Sequence, residues 1–349
     1  MIDIHVHFRD GEQKEKETIK HGYEVAHKAG IFSCFDMPNT VPPLTNKKTI
    51  IERLEMGQQM VETVDKKATY RVYAGLTSLE EQIEDVLEAY NELFPRVVGF
   101  KMFAGHSTGK MGIIEKEEQR IVYSILAKHN YRGVIAVHCE KTSLMDESLF
   151  EISKPETHSK ARPAIAEIES IKDQIELINE THFLGHLHIC HISTKDGVAL
   201  VKKAKMNGVN ISSGATAHHA LLNEAAYKDN NIFVKMNPPL RCEENRKAIF
   251  NALLKGDIDV IESDHAPHTI KDKQNGASGV PGFAGTLLLI KALREKGISE
   301  EKLIALCGGN ANKIFEMELP ITVLNNTQID EVLPEIRSSY PFDAFYCIK

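Results

Sequence analysis

Two histidines, His5 and His7, stand at the end of the short run Met1-Ile2-Asp3-Ile4. Side chains alternate faces along a strand, so the two imidazoles point the same way and can grip one metal ion. Arg9 lies on the same alternation and adds a permanent positive charge at the metal's edge. Other chemistry-bearing residues sit in or at the end of apolar runs. His138 ends Val134–His138, His191 ends His188-Ile189-Cys190-His191, and Asp264 ends Asp259–Asp264. Lys101 lies inside Val97–Phe103. Imidazole with carboxylate suits zinc or a similar divalent ion. A fixed guanidinium beside it suggests metal-assisted chemistry on an anionic substrate.

Each residue alone has a plainer explanation. A histidine at a strand end is more often a satisfied polar group than a ligand, a lysine in an apolar run can snorkel to the surface, and Ser263–His268 could be a capped turn. Joint placement on several strand ends is what raises the functional reading.

The elements that would carry these residues alternate along the chain. Strand patterns fall at Ile2–Val6, Ile31–Met37, Tyr70–Leu76, Val97–Phe103, Gly133–His138, Leu187–His191, Val209–Ser213 and Asp259–Ser263. Amphipathic stretches lie between them, and Ala284–Lys296 follows the last. Eight strands alternating with eight helices imply parallel strands, right-handed crossovers and a closed (β/α)8 TIM-type barrel. In such a barrel the site belongs at the C-terminal ends of the strands. The barrel is expected over residues 1–316, with 317–349 a short C-terminal extension, partly helix end and partly extended tail, packed on it.

The chain has 349 residues, 42% hydrophobic and 26% charged, with a formal net charge of -7. No basic stripe suggests nucleic acid, and no apolar run approaches the roughly 20 residues that span a membrane. Polar residues interrupt the start, so no signal peptide is expected. Six scattered cysteines without a CxxC pair fit a reducing, cytoplasmic setting.

Seven blocks in order make the chain resemble the dihydroorotases of the amidohydrolase superfamily. They are HVHFRD at 5–10, DMPNT at 36–40, GFKMFAG at 99–105, AVHCE at 136–140, HICHIST at 188–194, MNPPLR at 236–241 and ESDHAPH at 262–268. The resemblance implies a zinc-dependent cyclic amide hydrolase with two divalent ions. It implies His5, His7 and Asp264 as ligands of one ion, His138 and His191 as ligands of the second, and Lys101, N6-carboxylated, as the bridge. Arg9 and Asn39 match positions that hold the substrate carboxylate. Asn237 and His268 match ring- and carboxylate-binding positions, and Pro281 and Gly282 match a loop whose backbone touches the ring. The implied reaction is the reversible closure of N-carbamoyl-L-aspartate to L-dihydroorotate, a step of pyrimidine biosynthesis. A metal-bridging hydroxide is the implied nucleophile and Asp264 the general base and acid. Ser107 and Thr108 read equally well as a lid loop or a plain turn. A homodimer is compatible with this reading.

Several finer expectations follow. His218 and His219 read as structural or as groups that back the metal ligands, His158, His182 and His186 as ordinary, and the Cys139 and Cys190 thiols as pointing away from the metals. Many relatives carry an added β-sandwich; with HxH at residue 5, its N-terminal half is expected to be missing. Some relatives use a strand-four-loop aspartate instead of the carboxylated lysine, whereas GFKMF favours the lysine. Two other readings stand beside this one. A hydantoinase- or allantoinase-type amidase would share the metal site but lack need of the Arg9–Asn39 clamp. A catalytically inactive partner of a carbamoyltransferase would have lost ligands that are all present here.

Overall fold

A computed structural model describes residues 1–106 and 111–348. Eight strands, β1 (Ile2–Val6), β2 (Ser33–Asp36), β3 (Arg71–Gly75), β4 (Val97–Ala104), β5 (Val134–Cys139), β6 (His186–Ile189), β7 (Ile211–Thr216) and β8 (Val260–Glu262), form one parallel sheet in sequence order. Eight long helices follow them: α1 (Ile19–Lys28), α2 (Lys47–Glu62), α3 (Glu80–Leu93), α4 (Lys116–Lys128), α5 (Ala164–Glu180), α6 (Lys195–Met206), α7 (Glu243–Lys255) and α8 (Phe283–Glu295). This is the expected (β/α)8 barrel.

Local sequence explains where the helices begin. Thr18, Asn46 and Thr194 each accept a backbone N–H from three residues on, so α1, α2 and α6 start where an orphan donor finds a side-chain oxygen. Two apolar layers hold the barrel. One lies between strands and helices, and includes Val6, Val72, Phe100, Val137 and Ile189. The other fills the barrel floor, where Ile2, Ile4, Phe35, Tyr73, Val98 and Val260 meet Phe315. Phe35 and Phe315 pack edge-on at 5.1 Å. A plugged floor leaves the C-terminal mouth as the open end.

The β8–β1 seam is closed differently from the others. Its backbone contacts are a parallel bridge between Val6 and His265 and the 2.7 Å bond from His7 N to His265 O. Lower down, Asp3 Oδ1 accepts from the backbone N–H of both Ser263 and His5, each at 3.2 Å. A buried carboxyl thus substitutes for ladder carbonyls, and burial pushes it up to about 7.

A register shift in β1 between Asp3 and Val6 matters more for the site. Ile2 and Ile4 face the barrel interior, yet Val6 joins the outer layer. The bulge switches parity, so His5 and His7 both turn inward above the apolar floor.

The stretch beyond Phe315 is more regular than its patterning suggests. Residues Asn326–Ser338 form a ninth helix, α9, opened by a capping box in which Asn325 and Gln328 satisfy each other's backbone N–H. Ile329, Ile336, Ala344 and Phe345 are buried. No helix among the described residues is long and apolar enough to cross a membrane.

Close strand packing makes one position sensitive. A Cβ on Gly99 would lie 2.5 Å from the Val134 carbonyl oxygen of the neighbouring strand. Gly99→Ala is expected to cost about 1–3 kcal/mol, read as a lower urea midpoint at unchanged slope.

Candidate metal and substrate site

The strand ends carry an open cavity at the C-terminal mouth, lined among others by His5, His7, Arg9, Asn39, Lys101, His138, His191, Asn237 and Asp264. Residues from β1, β4, β5 and the turns after β2, β6 and β8 therefore converge. His191 and Asp264 lie just past their strands with φ of 34° and 46°. That left-handed backbone turns each side chain into the mouth.

The contacts among these residues contain unpaired acceptors. His7 Nδ1 lies 2.8 Å from Asn39 Oδ1 and donates to it, so the lone pair on Nε2 faces Asp264 Oδ1 at 3.1 Å. His5 Nδ1 donates to Glu262 Oε2 at 3.1 Å, so its Nε2 lone pair faces the same Asp264 oxygen at 3.4 Å. His138 Nε2 donates to Glu140 Oε2 at 3.0 Å, leaving Nδ1 3.1 Å from His191 Nε2. Lone pairs meeting a carboxylate oxygen repel unless a cation lies between them. The ligand atoms of His5, His7 and Asp264 all fall within 4.8 Å of one another. These residues fit a divalent ion, and the orphaned Nδ1 of buried His191 fits the same reading.

Protonation favours metal ligation. Burial, then the charge of Lys101, pushes His5 down to about 4. Burial, then neighbouring imidazoles, pushes His191 well below the ordinary histidine value. Neutral imidazoles keep a lone pair for a metal. Burial alone would raise Asp264, but the imidazoles of His7 and His5 packed against it hold the carboxyl well below its usual range.

Lys101 is fully buried, and its Nζ lies 3.0 Å from Cys190 Sγ. Among the described residues no carboxylate pairs with it. A lone buried ammonium is expensive, and conversion to a carbamate would remove that charge and supply an anionic oxygen pair.

The Cys190 thiol corrects an expectation. It points into the barrel beside Lys101, not into the helix layer. Alternation holds from His188 to Cys190, and the left-handed His191 then brings the next side chain inward too. Cys139 packs in the outer layer, as alternation requires.

Other candidates sort by position. Arg9 is buried, its Nε donates to Pro267 O at 3.3 Å, and no carboxylate among the described residues pairs with it. Its side chain lines the cavity. Asn237 Oδ1 is taken by His158 Nε2 at 2.9 Å and Ser278 Oγ at 3.1 Å, which orients its NH2 into the cavity. His158, expected to be ordinary, is thus a support for Asn237. His268, Pro281 and Gly282 do not line the cavity. His268 Nε2 donates to Ser278 O, and Gly282 N donates to His265 Nδ1. They hold the wall, and Ser278, Gly279 and Ala266 form its surface. Ser107 and Thr108 lie outside the described residues.

His219 is satisfied by Thr216 Oγ1 at 2.9 Å and Pro238 O at 3.0 Å, a structural role. His218 is buried with neither ring nitrogen bonded among the described residues, and burial pushes it down to about 4.

Two buried carboxylates escaped the sequence reading. Glu140 holds His138 and is in turn gripped by Arg162. Burial alone would raise it, but Arg162 and His138 hold it well below the carboxylate range. Glu262 holds His5. The signal for both was present: each lies two residues from a candidate ligand, on the same strand face.

The architecture matches known barrels. The chain aligns with the L-hydantoinase (dihydropyrimidinase) of Arthrobacter aurescens at a TM-score of 0.78 and 22% identity, over 90% of this chain and 70% of that one. Dihydropyrimidinase from Brevibacillus agri gives 0.76 and 19%, over 93% and 72%. The class is the (β/α)8 barrel that those enzymes share. Sequence comparison is narrower. The chain is 35% identical over 298 residues to dihydroorotase of Thermococcus kodakarensis, covering 85% of this chain and 63% of the relative. It is 32% identical over 327 residues to dihydroorotase of Lactobacillus gasseri, covering 91% and 73%. The chain belongs to the dihydroorotase family. It spans a little under two thirds of the length of its Thermococcus relative. No family model matches it.

Proposed function

We propose that the protein is a dihydroorotase, interconverting L-dihydroorotate and N-carbamoyl-L-aspartate at a site for two divalent ions, zinc being the best fit. The observation that carries this reading is the pairing of one open metal-fitting cluster with one buried guanidinium that has no carboxylate partner among the described residues, in the same cavity. His5, His7 and Asp264 would hold one ion, His138 and His191 the second, and carboxylated Lys101 would bridge them. When bound, the ions polarise an amide carbonyl and lower the pKa of water.

The chain's own residues do the rest. Arg9 and Asn39 hold the carboxylate that does not react, a fork and an amide suited to a planar anion. Asn237 and the backbone of Ser278–Gly279 orient the ring. Asp264, ionised and facing the cavity, takes a proton during attack and returns it to the leaving nitrogen. In ring closure the same groups act in reverse. The substrate is a small molecule.

Arg9 separates this reading from a hydantoinase-type activity. Arg9→Met is expected to raise KM for dihydroorotate about 10- to 100-fold, with little effect on any turnover of dihydrouracil, which lacks the carboxylate. Equal loss on both substrates would contradict the clamp. Initial rates on dihydroorotate, dihydrouracil and hydantoin, with zinc added, test the function itself. Only the first should be turned over efficiently.

A further inference from the structure

The barrel interior holds a polar column that the proposed chemistry does not use. TIM-barrel interiors are packed mainly with bulky branched side chains. Here a chain of contacts descends from His5 toward the floor. Glu262 Oε1 lies 2.5 Å from His188 Nε2, His188 Nδ1 lies 2.7 Å from Ser212 Oγ, and Ser212 Oγ lies 2.6 Å from His186 Nε2. His186 Nδ1 lies 2.7 Å from Asn210 Oδ1, and Asn210 Nδ2 donates to Gly185 O at 3.2 Å. Glu262 and His188 are buried, and Gly214 opposite them leaves the space: a Cβ there would sit 2.0 Å from Glu262 Oε1.

Donor counting constrains the protons. Glu262 Oε2 already accepts from His5 Nδ1 and from the backbone N–H of His191, the latter at 3.0 Å. Asn210 presents its oxygen upward because its NH2 is committed to Gly185. His186 therefore donates through Nδ1 and accepts from Ser212 through Nε2. Ser212 then accepts from His188 Nδ1, and one proton shared between His188 Nε2 and Glu262 Oε1 closes the 2.5 Å contact between them.

We infer that His188 is a positioning residue that holds the Glu262 carboxylate against His5 Nδ1 and so aims His5 Nε2 at the metal. Groups that fix a ligating histidine in this way typically change metal affinity about 10- to 100-fold. The inference rests on the proposed metal site.

Two measurements test it. The first uses the unmodified protein with ring-15N histidine at neutral pH. His5 should be protonated at Nδ1 and not at Nε2, the tautomer that a held Glu262 carboxylate fixes. A His5 ring protonated at Nε2 would overturn the inference, whatever any variant does. The second is zinc affinity by competition with a chromogenic chelator. His188→Leu should bind zinc about 10- to 100-fold more weakly, and His188→Gln, which keeps a donor toward Glu262, should recover part of the loss. A folded His188→Leu protein whose zinc affinity stays within about twofold of the parent would contradict it. A parent protein that binds no divalent ion in the same assay would overturn the metal reading, and this inference with it.

Discussion

Asp264→Asn is expected to lower kcat for dihydroorotate by at least about 10²- to 10⁴-fold while the protein stays folded. Asp264 Oδ1 lies 3.1 Å from His7 Nε2 and 3.4 Å from His5 Nε2, so among the described residues it is the one carboxylate facing both ring lone pairs. The amide keeps the shape and removes the negative charge and the proton acceptor together. Thermal unfolding of the metal-free variant should fall close to the parent, because the lost anion faces a cavity and not the packed core. A variant retaining a tenth of parental kcat would refute a proton-transfer role.

Lys101→Met should act in two opposite directions. With metal added, turnover should drop by about three orders of magnitude, because no bridging anion can form. Bound metal, measured by elemental analysis, should fall below two ions per chain. Without metal, the variant should be as stable as the parent or more so. Exchanging a buried lysine that has no carboxylate partner among the described residues for an apolar chain of similar volume is commonly neutral or worth about 1–4 kcal/mol. Native mass spectrometry of the parent should show the mass of one added carbon dioxide on the peptide carrying Lys101. Its absence in active, metal-loaded protein would sink the carbamate.

The two effects together explain why so much of the molecule was readable beforehand. Strands and helices follow from hydrophobic period, and the eightfold alternation carried the barrel. The rim residues were legible because strand ends coincide with abrupt changes from apolar to polar. His5 and His7 share a face by alternation, although the bulge that turns that face inward left no mark in the sequence.

What escaped detection had physical reasons. Cys190 turns inward because alternation was extended through His191, whose left-handed backbone breaks it. Glu140 and Glu262 were passed over because a carboxylate that orients an imidazole looks, in sequence, like any acid near a strand end. His158 contacts Asn237 across 79 positions, a pairing that only the fold creates. Of the segment 279–282, Gly279 lines the cavity and Pro281 and Gly282 do not. α9 was missed because its apolar positions are sparse and Pro334 lies inside it, though Asn325 and Gln328 had marked its start.

The central claim is that the cavity opens and closes a carboxylated cyclic amide with metal assistance. The direct measurement is the interconversion itself: purified protein with zinc, supplied with L-dihydroorotate, followed by loss of ring absorbance and identification of N-carbamoyl-L-aspartate. Turnover that a chelator stops and added zinc restores is expected. A zinc-loaded, folded protein that leaves dihydroorotate untouched, or turnover indifferent to the chelator, would contradict it.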